Sequence, residues 1–530
     1  MSSTFLKILF TNFDSCFILY IPPYGIMEGN YFYRRYLNLN NYFIKTNRTF
    51  TAIRKYAWIL TVLVAIGGLW EPKLGLLVVL IMASLTITSF FTGRYWCGNF
   101  CPHGSLFDKL LLPISRNKSI PNFLKSKPMV IGFFTFFMFN FSRKLIKIGR
   151  LWGTFSFLDR LGFLFVNTYL MVLIVGGALA IFGNPRIWCQ FCPMGSIQKL
   201  SHKLGKALGV TKKTEKKVTV SSQSKCHACG KCSRVCPFQL TPYLEFSQNN
   251  QFDSINCIKC STCVENCPAS ILSLETEENA VKLKEITAID GYENRQTIIS
   301  RILDIKELGE EIREYTFAFE TPEKVDYKAG QFILIKIQER PKAFRAYSIS
   351  SYNEDSKKLK VIIKKVENGY GTDVIFNSFK VGDRVELEGP MGNDLVPDKS
   401  ADKVLFIGNG IGITPFIALS KDVLTNYPNL KEVKLLDGQR YENEFLYHDY
   451  FKELHKAHEK FEYIPMVSRD NSTSIKKGYV TAALKDLELK GYKVYMCGSK
   501  NMITDSFKIL LDKGVKKEDI FYESEEKIAL

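Results

Sequence analysis

Cys226-His-Ala-Cys229-Gly-Lys-Cys232-Ser-Arg-Val-Cys236-Pro237 reads C-x-x-C-x-x-C-x-x-x-C-P, and the same pattern recurs from Cys257 to Pro268. A cuboidal iron–sulfur cluster needs four thiolates that converge on one cube, and in this spacing the fourth cysteine ligates the other cluster. The spacing predicts two [4Fe–4S] clusters, one on Cys226, Cys229, Cys232 and Cys267, the other on Cys257, Cys260, Cys263 and Cys236. Paired zinc sites are the alternative, since C-x-x-C pairs also suit zinc. A zinc site, however, requires neither the proline after the fourth cysteine nor a fourth ligand from the other cysteine run.

This stretch resembles a bacterial two-cluster ferredoxin over about residues 220–275. The resemblance implies a small α+β domain, which we assign to residues 223–275. A polar linker, rich in lysine and serine, is predicted just before it at residues 208–222.

Composition narrows the class of protein. The chain has 530 residues, enough for several domains, and 14 cysteines that lie mostly in short clusters, which favours metal ligation in a reducing compartment over disulfides. The net charge is +18, and many of the basic residues lie beside apolar runs, as they do in membrane proteins. Basic residues next to a membrane span also attract anionic lipid. No basic patch coincides with a nucleic-acid-binding motif, so no nucleic-acid partner is expected. The lone Cys16 is predicted to be structural, and the segment Phe5–Tyr20 is not interpreted as a signal peptide.

Four apolar stretches predict an α-helical transmembrane bundle over residues 1–207. A spanning helix takes about 20 mostly apolar residues. The candidates are Tyr56–Trp70, Leu74–Phe91, Met129–Phe141 and Leu161–Phe182. Any one of them alone is compatible with a buried core helix, but four in one region favour a membrane domain.

Basic residues predict the orientation, because Lys and Arg concentrate in cytoplasmic loops. They precede the first span, separate the second from the third, and follow the fourth, which puts both termini and the soluble domains in the cytoplasm. The residues concerned are Arg34, Arg35, Lys45, Arg48, Arg54, Lys55, Lys109, Arg116, Lys118, Lys125, Lys127, Arg186, Lys199, Lys203 and Lys206. Residues 142–160 are also basic although this arrangement puts them outside. They are interpreted as an interfacial helix, or as an extension of the third span toward Ile148.

Two further motifs belong to a soluble module. Arg345-Ala-Tyr347-Ser348 suits a flavin, since Tyr can stack on the ring, Ser can bond near N5 and Arg can grip a phosphate. Gly369-Tyr-Gly371-Thr372 lets backbone amides and a helix N-terminus approach a pyrophosphate. Short β-branched runs around these motifs predict an antiparallel FAD-binding β-barrel at residues 295–398.

A glycine-rich turn follows a strand at Gly408-Asn-Gly410-Ile-Gly412-Ile-Thr414, and Cys497-Gly498 ends a later strand. Strands alternate with helices here, which predicts an α/β domain with a parallel sheet at residues 400–530. The order of these motifs resembles the ferredoxin–NADP reductase family over roughly residues 295–530. The resemblance implies FAD in the barrel, the NAD(P)H pyrophosphate near Gly408–Thr414, and Cys497, as catalytic residue, with Gly498 beside the nicotinamide. Asp437 favours NADH, whereas Ser468-Arg469 resembles a site for the NADP phosphate.

The membrane region has its own repeat. Trp96-Cys97-Gly-Asn-Phe-Cys101-Pro-His103-Gly and Trp188-Cys189-Gln-Phe-Cys192-Pro-Met-Gly both begin W-C and end C-P-x-G. Residues 50–275 resemble the membrane polyferredoxins of nitrate and nitrous oxide respiration, although the second motif is one residue shorter than theirs. Cys97, Cys101, Cys189 and Cys192 are therefore candidates for an additional metal or iron–sulfur centre, the alternative being helix-terminal cysteines without metal. His103 is expected to be a surface residue.

Together the modules predict a membrane-bound oxidoreductase that passes electrons from NAD(P)H through FAD and two [4Fe–4S] clusters to a quinone or another membrane acceptor. Two alternatives stay open on the sequence. One is a ferredoxin:NAD(P)+ reductase that runs in reverse from a soluble ferredoxin, and the other is a non-enzymatic membrane redox sensor or scaffold. The intact hydride-transfer module favours an enzyme, while the choice between NADH and NADPH stays open.

Overall fold

The computed structural model describes residues 42–287, 289–470 and 473–523. Cys16 and the segment Phe5–Tyr20 lie outside these residues. Up to residue 207, short helical turns connect longer helices. The α-helices here are α1 (Ala52–Tyr56), α2 (Trp58–Ala65), α3 (Leu77–Thr92), α4 (Tyr95–Asn99), α5 (Pro102–Leu106), α6 (Asn122–Lys125), α7 (Lys127–Gly149), α8 (Ser156–Met171), α9 (Gly177–Phe182), α10 (Ile187–Phe191) and α11 (Pro193–Ala207).

Four helical segments are long and apolar enough to cross a membrane, judged by length and composition alone. They are Ala52–Leu69, Pro72–Thr92, Lys127–Gly149 and Ser156–Phe182, each close to one of the four predicted stretches. The third is longer than Met129–Phe141, because α7 continues through the basic residues to Gly149. Residues 142–149 are therefore part of this helix, and only residues 150–155 connect it to α8.

The ferredoxin-like segment is bounded by a two-stranded antiparallel sheet. Strand β1 (Lys217–Val220) pairs with β2 (Leu272–Glu275), so part of the predicted linker is a strand instead. Before β1 lies α12 (Thr211–Thr214), between the strands lie α13 (Lys231–Arg234) and α14 (Thr262–Glu265), and α15 (Glu277–Ile286) follows them. Both cysteine loops therefore lie between the two paired strands in the sequence.

An antiparallel sheet follows. Its strands are β3 (Gln296–Gly309), β4 (Ile312–Thr321), β5 (Phe332–Gln338), β6 (Ala343–Ser348), β7 (Lys358–Lys364) and β8 (Arg384–Met391), in the order β6-β5-β8-β3-β4-β7. Helix α16 (Tyr370–Ser378) connects β7 to β8. Buried Ile, Val and Phe side chains of these strands form the main core, and Phe332, Leu334, Phe344 and Met391 form a second, smaller cluster, as period-2 alternation allows.

The last part is an α/β layer structure. Strands β9 (Lys403–Asn409), β10 (Glu432–Gln439), β11 (Phe461–Val467), β12 (Lys476–Lys477), β13 (Lys493–Cys497) and β14 (Ile520–Glu523) are all parallel, in the order β12-β11-β10-β9-β13-β14. Helices α17 (Thr414–Asn426), α18 (His448–Ala457), α19 (Val480–Asp486) and α20 (Lys500–Asp512) supply apolar cores on its two faces. From β9 to β12 each new strand is added on one side of β9, and β13 and β14 are added on the other side. The strand order therefore reverses between β9 and β13, which is the position where α/β sheets bind ligands.

Candidate active site and redox centres

The ferredoxin-like cysteines fall into two spatial groups. Cys226 and Cys232 each lie within electrostatic reach of Cys229 and Cys267. Cys257 and Cys263 likewise lie within reach of Cys260 and Cys236. Each group therefore takes three thiols from one loop and the fourth from the other loop, as the crossed pattern predicts. The two groups approach each other where Cys232 acts on Cys263.

Both cysteine loops have the same backbone conformation. Ala228 and Lys259, at equivalent positions in the two motifs, have φ angles of 46° and 53°. These left-handed residues turn the chain tightly, and their N–H groups donate to the thiols of Cys226 and Cys257. Burial raises the pKa of Cys226 to about 11 and that of Cys257 to about 12. Buried sulfurs that accept backbone N–H bonds are the surroundings that four-iron clusters require.

The second group of thiols surrounds one small cavity. This cavity is lined by all four members of the group, Cys236, Cys257, Cys260 and Cys263. Four thiols that converge on one space match the ligand set of a four-iron cluster.

The predicted flavin residues lie on β6 and at the start of α16. Arg345 Nη1 donates to the carbonyl oxygens of Cys229 (2.9 Å) and Phe344 (2.7 Å). A Cβ at Gly371 would lie 2.7 Å from Arg345 Nε, so only glycine lets this guanidinium approach the loop. Tyr347, two residues further along β6, packs partly buried against the sheet core.

The glycine-rich loop before α16 is ordered by a side chain. The Thr372 hydroxyl accepts from Val366 N (3.1 Å) and donates to Gly369 O (3.0 Å). Gly369 caps α16 without a side-chain hydrogen bond to its first turn. The N–H groups at this helix end are therefore directed at the position where an anion would bind.

The predicted nicotinamide residues meet at the reversal point of the parallel sheet. Gly408 at the end of β9 pairs with Cys497 at the end of β13. The turn Gly410–Ile413 leads into α17 at Thr414, and Gly412 packs against the backbone of Cys497 and Gly498. All these predicted residues therefore line one edge of the sheet.

Glu523 connects the two sites and was not anticipated from the sequence. It pairs with Cys497 across β13 and β14, and its side chain is hydrogen-bonded to Ser348 of β6. Burial, with the nearby Asp394, raises the pKa of Glu523 to about 7. The residues expected at the flavin and at the nicotinamide thus lie side by side. No sequence motif indicates that Glu523 contacts Ser348, because the two residues are far apart in the sequence.

Asp437 does not face a nucleotide. Its carboxylate is fully buried, where it accepts from Gln439 Nε2 (2.9 Å) and from the Tyr463 hydroxyl (3.0 Å). The interpretation that Asp437 favours a free ribose hydroxyl is therefore wrong. Burial raises the pKa of this carboxyl to about 7, despite both hydrogen bonds.

The four cysteines of the membrane-region repeat converge. Cys101 lies within electrostatic reach of Cys97 and Cys189, and Cys192 lies within reach of all three. Cys101 and Cys192 each precede a proline that begins a helix, and their thiols accept the N–H groups of Gly104 and Gly195. Burial raises the pKa of both thiols to about 12.

Two arginines cross between the halves of the repeat. Arg94 and Arg186 occupy the same position in Arg-x-Trp-Cys, three residues before Cys97 and Cys189. Arg186 Nη1 lies 3.5 Å from Cys189 Sγ and Arg94 Nη2 lies 3.9 Å from Cys97 Sγ. Each guanidinium also packs against the glycine that ends the C-P-x-G motif of the other half. A Cβ added to Gly104 would lie 2.8 Å from Arg186. A Cβ added to Gly195 would lie 3.0 Å from Arg94. The shared Arg-x-Trp-Cys was the available signal that sequence reasoning missed.

The charge around these thiols is unbalanced. Within described residues 42–207, four arginines are buried, Arg48, Arg54, Arg94 and Arg186, against one buried carboxylate, Asp108. Three of the four reach Asp108, with Arg54 and Arg186 at 2.5 and 2.6 Å. Burial alone would raise the pKa of Asp108, but these guanidinium groups hold it below its usual range. An additional anion is needed to balance the remaining positive charge.

His103 differs from expectation. It is only partly exposed, because its Nε2 atom is buried and its ring centre lies 4.3 Å from that of Tyr169.

Comparison with protein families assigns cofactors to each of these regions. An oxidoreductase FAD-binding domain matches residues 300–394, and an oxidoreductase NAD-binding domain matches residues 406–508. A 4Fe-4S dicluster domain matches residues 225–272. The chain is an NAD(P)H-dependent flavin and iron–sulfur oxidoreductase. FAD, NAD(P)H and two [4Fe–4S] clusters, predicted from the sequence, are thereby confirmed as its cofactors. A 4Fe-4S binding domain also matches twice among the N-terminal helices, at residues 74–121 and 166–211.

Similar proteins include reductase components of other systems. The reductase component DmpP of phenol 2-monooxygenase from Pseudomonas sp. (strain CF600) is 28% identical over 44% of this chain, and the chain spans 65% of that relative. The reductase component of propane 2-monooxygenase from Rhodococcus jostii (strain RHA1) is 22% identical over 57% of this chain and 81% of its own. Among solved structures, the Amycolatopsis cytochrome P450 reductase GcoB has a TM-score of 0.41 at 22% identity, covering 44% of this chain and 71% of its own.

Proposed function

We propose that this protein is a membrane-bound enzyme that carries electrons from NAD(P)H, through FAD and three iron–sulfur centres, to a quinone in the bilayer. The observation that carries the proposal is the unbroken series of contacts that joins the proposed centres in this order. Each NAD(P)H releases two electrons and a proton on oxidation to NAD(P)+, and each quinone takes up two electrons and two protons to become a quinol. FAD, when bound, accepts a hydride and passes its electrons on singly, which fits one-electron clusters.

The proposed hydride site is the junction of Cys497, Ser348 and Glu523. Ser348 would bond near the flavin N5, and Cys497 with Gly498 would hold the nicotinamide against the ring. Glu523 is within hydrogen-bond reach of Ser348 and exchanges a proton near neutral pH, since its pKa is about 7. We propose that the antiparallel sheet closes here as a barrel. A bridge between Ile349 and Val361, which joins the ends of the sheet, supports this closure.

The flavin site borders the first cluster loop. Arg345 reaches Cys229 O, Phe344 N donates to Ala228 O (3.3 Å), and Arg295 Nη1 donates to Cys226 O (2.8 Å). We propose that Cys226, Cys229, Cys232 and Cys267 hold the cluster that receives electrons from FAD. Direct backbone contact between the two domains supports a short transfer distance.

The second cluster loop borders the membrane region. Asn99 Nδ2 donates to Lys259 O (3.2 Å), and any Cβ on Gly98, the residue after Cys97, would overlap Ile258 O. Arg94, the neighbour of Cys97 Sγ, also stacks on Phe238 with 4.7 Å between its Cζ and the ring centre. We propose that Cys236, Cys257, Cys260 and Cys263 hold the cluster that passes electrons to this side.

The third centre is proposed on Cys97, Cys101, Cys189 and Cys192. A four-iron cluster with four thiolates is an anion, and the surplus of buried arginine charge is what such an anion would balance. Thiols without metal would leave the arginines unbalanced. The two matches to a 4Fe-4S binding domain support the same assignment.

An apolar groove favours a quinone as the acceptor. It lies on α7 and is lined by Pro128, Met129, Gly132, Phe133 and Phe136. The Phe133 ring lies 5.7 Å from the Trp188 ring and 5.0 Å from the Phe191 ring, and Trp188 and Phe191 flank Cys189. An apolar molecule dissolved in the bilayer would therefore come close to the third centre. A soluble oxygenase component, by analogy with the relatives' names, would have no use for this groove.

The experiment compares the full-length protein in detergent with a variant in which Cys97, Cys101, Cys189 and Cys192 are all alanine. Under anaerobic stopped flow, NADH or NADPH should bleach the flavin and the ferredoxin-like clusters in both proteins. Only the wild type should then reduce an added quinone, and the variant should contain about four fewer irons. Equal iron content and equal quinone reduction would contradict the third centre. Failure of both nucleotides to bleach the wild-type flavin would contradict the whole proposal.

A further inference from the structure

Arg234 belongs to the ferredoxin-like segment but lies against the proposed flavin site. It ends α13, and its guanidinium carbon lies 5.6 Å from the ring centre of Tyr370 and 5.8 Å from that of Tyr42. Its Nε donates to Tyr42 O (3.0 Å). Tyr370 is the residue between Gly369 and Gly371 in the glycine-rich loop. The side chain is therefore held next to the start of α16 by two aromatic rings and one hydrogen bond.

Two positive charges meet at this helix end. Arg345 approaches from β6 to contact Gly371, and it acts electrostatically on Arg234. Among the residues that the structure describes, neither guanidinium has a carboxylate within 4 Å. Two partly buried like charges repel each other, and the uncapped N-terminus of α16 adds further positive potential.

We propose that Arg234 and Arg345 together bind the diphosphate of FAD, so that the ferredoxin-like domain supplies part of the flavin site. This inference rests on the proposed flavin site. A diphosphate carries two negative charges, which matches two guanidinium groups at one helix N-terminus. The tyrosines hold Arg234 in place before the cofactor arrives.

The position of Arg234 in the chain links the cofactors. It lies two residues after Cys232 and two before Cys236, which belong to the two different proposed clusters. Assembly of both clusters therefore fixes the helix that presents Arg234, and loss of either cluster should loosen FAD.

The test measures FAD affinity of the full-length protein in detergent after release of the bound flavin. Arg234→Gln should raise the dissociation constant for FAD by about 10- to 100-fold, the range for a charge-assisted hydrogen bond. Arg234→Lys should restore part of the affinity. Lys231→Gln, which removes a positive charge from the same helix, serves as the matched control and should leave the affinity within about threefold of wild type. Iron content should be equal in all four proteins.

A second measurement separates binding from folding. Without FAD, Arg234→Gln relieves the repulsion with Arg345, so the thermal midpoint of the flavin-free variant should equal or exceed that of the wild type. An unchanged affinity for FAD in Arg234→Gln would overturn the inference. A lower midpoint of the flavin-free variant together with lost iron would also overturn it, since Arg234 would then be structural. If the wild type itself does not bind FAD, the proposed function fails, which is a different result.

Discussion

Cys497 at the end of β13 is the residue that we expect to control the proposed first chemical step. Cys497→Ala should leave FAD bound but slow its reduction by NAD(P)H by about 10- to 100-fold, because a displaced nicotinamide loses its alignment with the flavin. Anaerobic stopped-flow absorbance of the flavin measures the rate, and flavin content of the purified protein provides the control. Loss of flavin with an unchanged rate per flavin would show that Cys497 serves the flavin site instead.

The buried carboxyl of Asp437 should make the stability of the α/β domain depend on pH. Its pKa in the folded protein is about 7, above the unfolded value of about 3.9. Its favourable contribution is therefore complete below about pH 4 and is lost as the pH rises through 7. The slope should be on the order of 1.4 kcal/mol per pH unit in between. Thermal midpoints from pH 5 to 8 should fall more steeply for wild type than for Asp437→Asn, and parallel curves would contradict this.

Sequence prediction of the cofactors succeeded where residues recur at fixed spacing. The cysteine runs indicated a 4Fe-4S dicluster domain and the Arg-x-Tyr-Ser element an FAD-binding domain, and family models match both regions, while the roles of the individual residues stay predictions. Glu523, Arg234 and Asp108 could not, because the side chains that theirs contact lie more than fifty residues away in the sequence, and only the fold brings them together. The surface placement of His103 failed for the same reason, since Tyr169 on another helix covers it.

At the scale of the element, the two cysteine loops should exchange their fourth ligands. Cys267→Ser should remove the cluster of Cys226, Cys229 and Cys232, whereas Cys236→Ser should remove the other. Each variant should lose about four irons. Electron paramagnetic resonance of the reduced proteins distinguishes the remaining cluster, and Cys267→Ser should interrupt electron flow directly after the flavin. If each substitution instead removed the cluster of its own loop, the crossed assignment would be wrong.

The long apolar helical segments were predictable in number but not in length. Mean apolarity located four segments, yet the basic residues at 143–150 suggested an early end to the third. Long Lys and Arg side chains can reach the interface while their backbone stays helical, so charge alone does not end a helix. Strand β1 was not predicted from the sequence for a related reason, because the lysine-rich residues beside it resemble a linker.

At the scale of the whole molecule, the arrangement predicts a topology. The segment 93–126 contacts the second cluster loop through Gly98 and Asn99, and the cysteines of 183–207 lie beside those of 93–126, so both segments should lie on the same side of the membrane as the soluble domains. The link 150–155 carries exposed Phe155 and exposed Trp152, a residue type favoured at membrane interfaces, and should lie on the far side. Reporters fused after Leu530 or inserted near Lys118 should report cytoplasm, and one inserted at 150–155 should report the opposite compartment. A cytoplasmic signal from all three would reduce the number of spans.

The excess of four buried arginines over one buried carboxylate has a consequence for the living cell. If the proposed third centre balances these charges, a chain synthesised without iron keeps uncompensated buried cations, which should destabilise the N-terminal helical region and raise the fraction of molecules that proteases can degrade. Iron starvation should therefore shorten the half-life of this protein while its messenger RNA is unchanged. Pulse-chase labelling with and without an iron chelator measures this effect. Equal half-lives would show that the iron-free protein is as stable in the cell as the iron-loaded one. The abundance of the protein would then not depend on the iron supply.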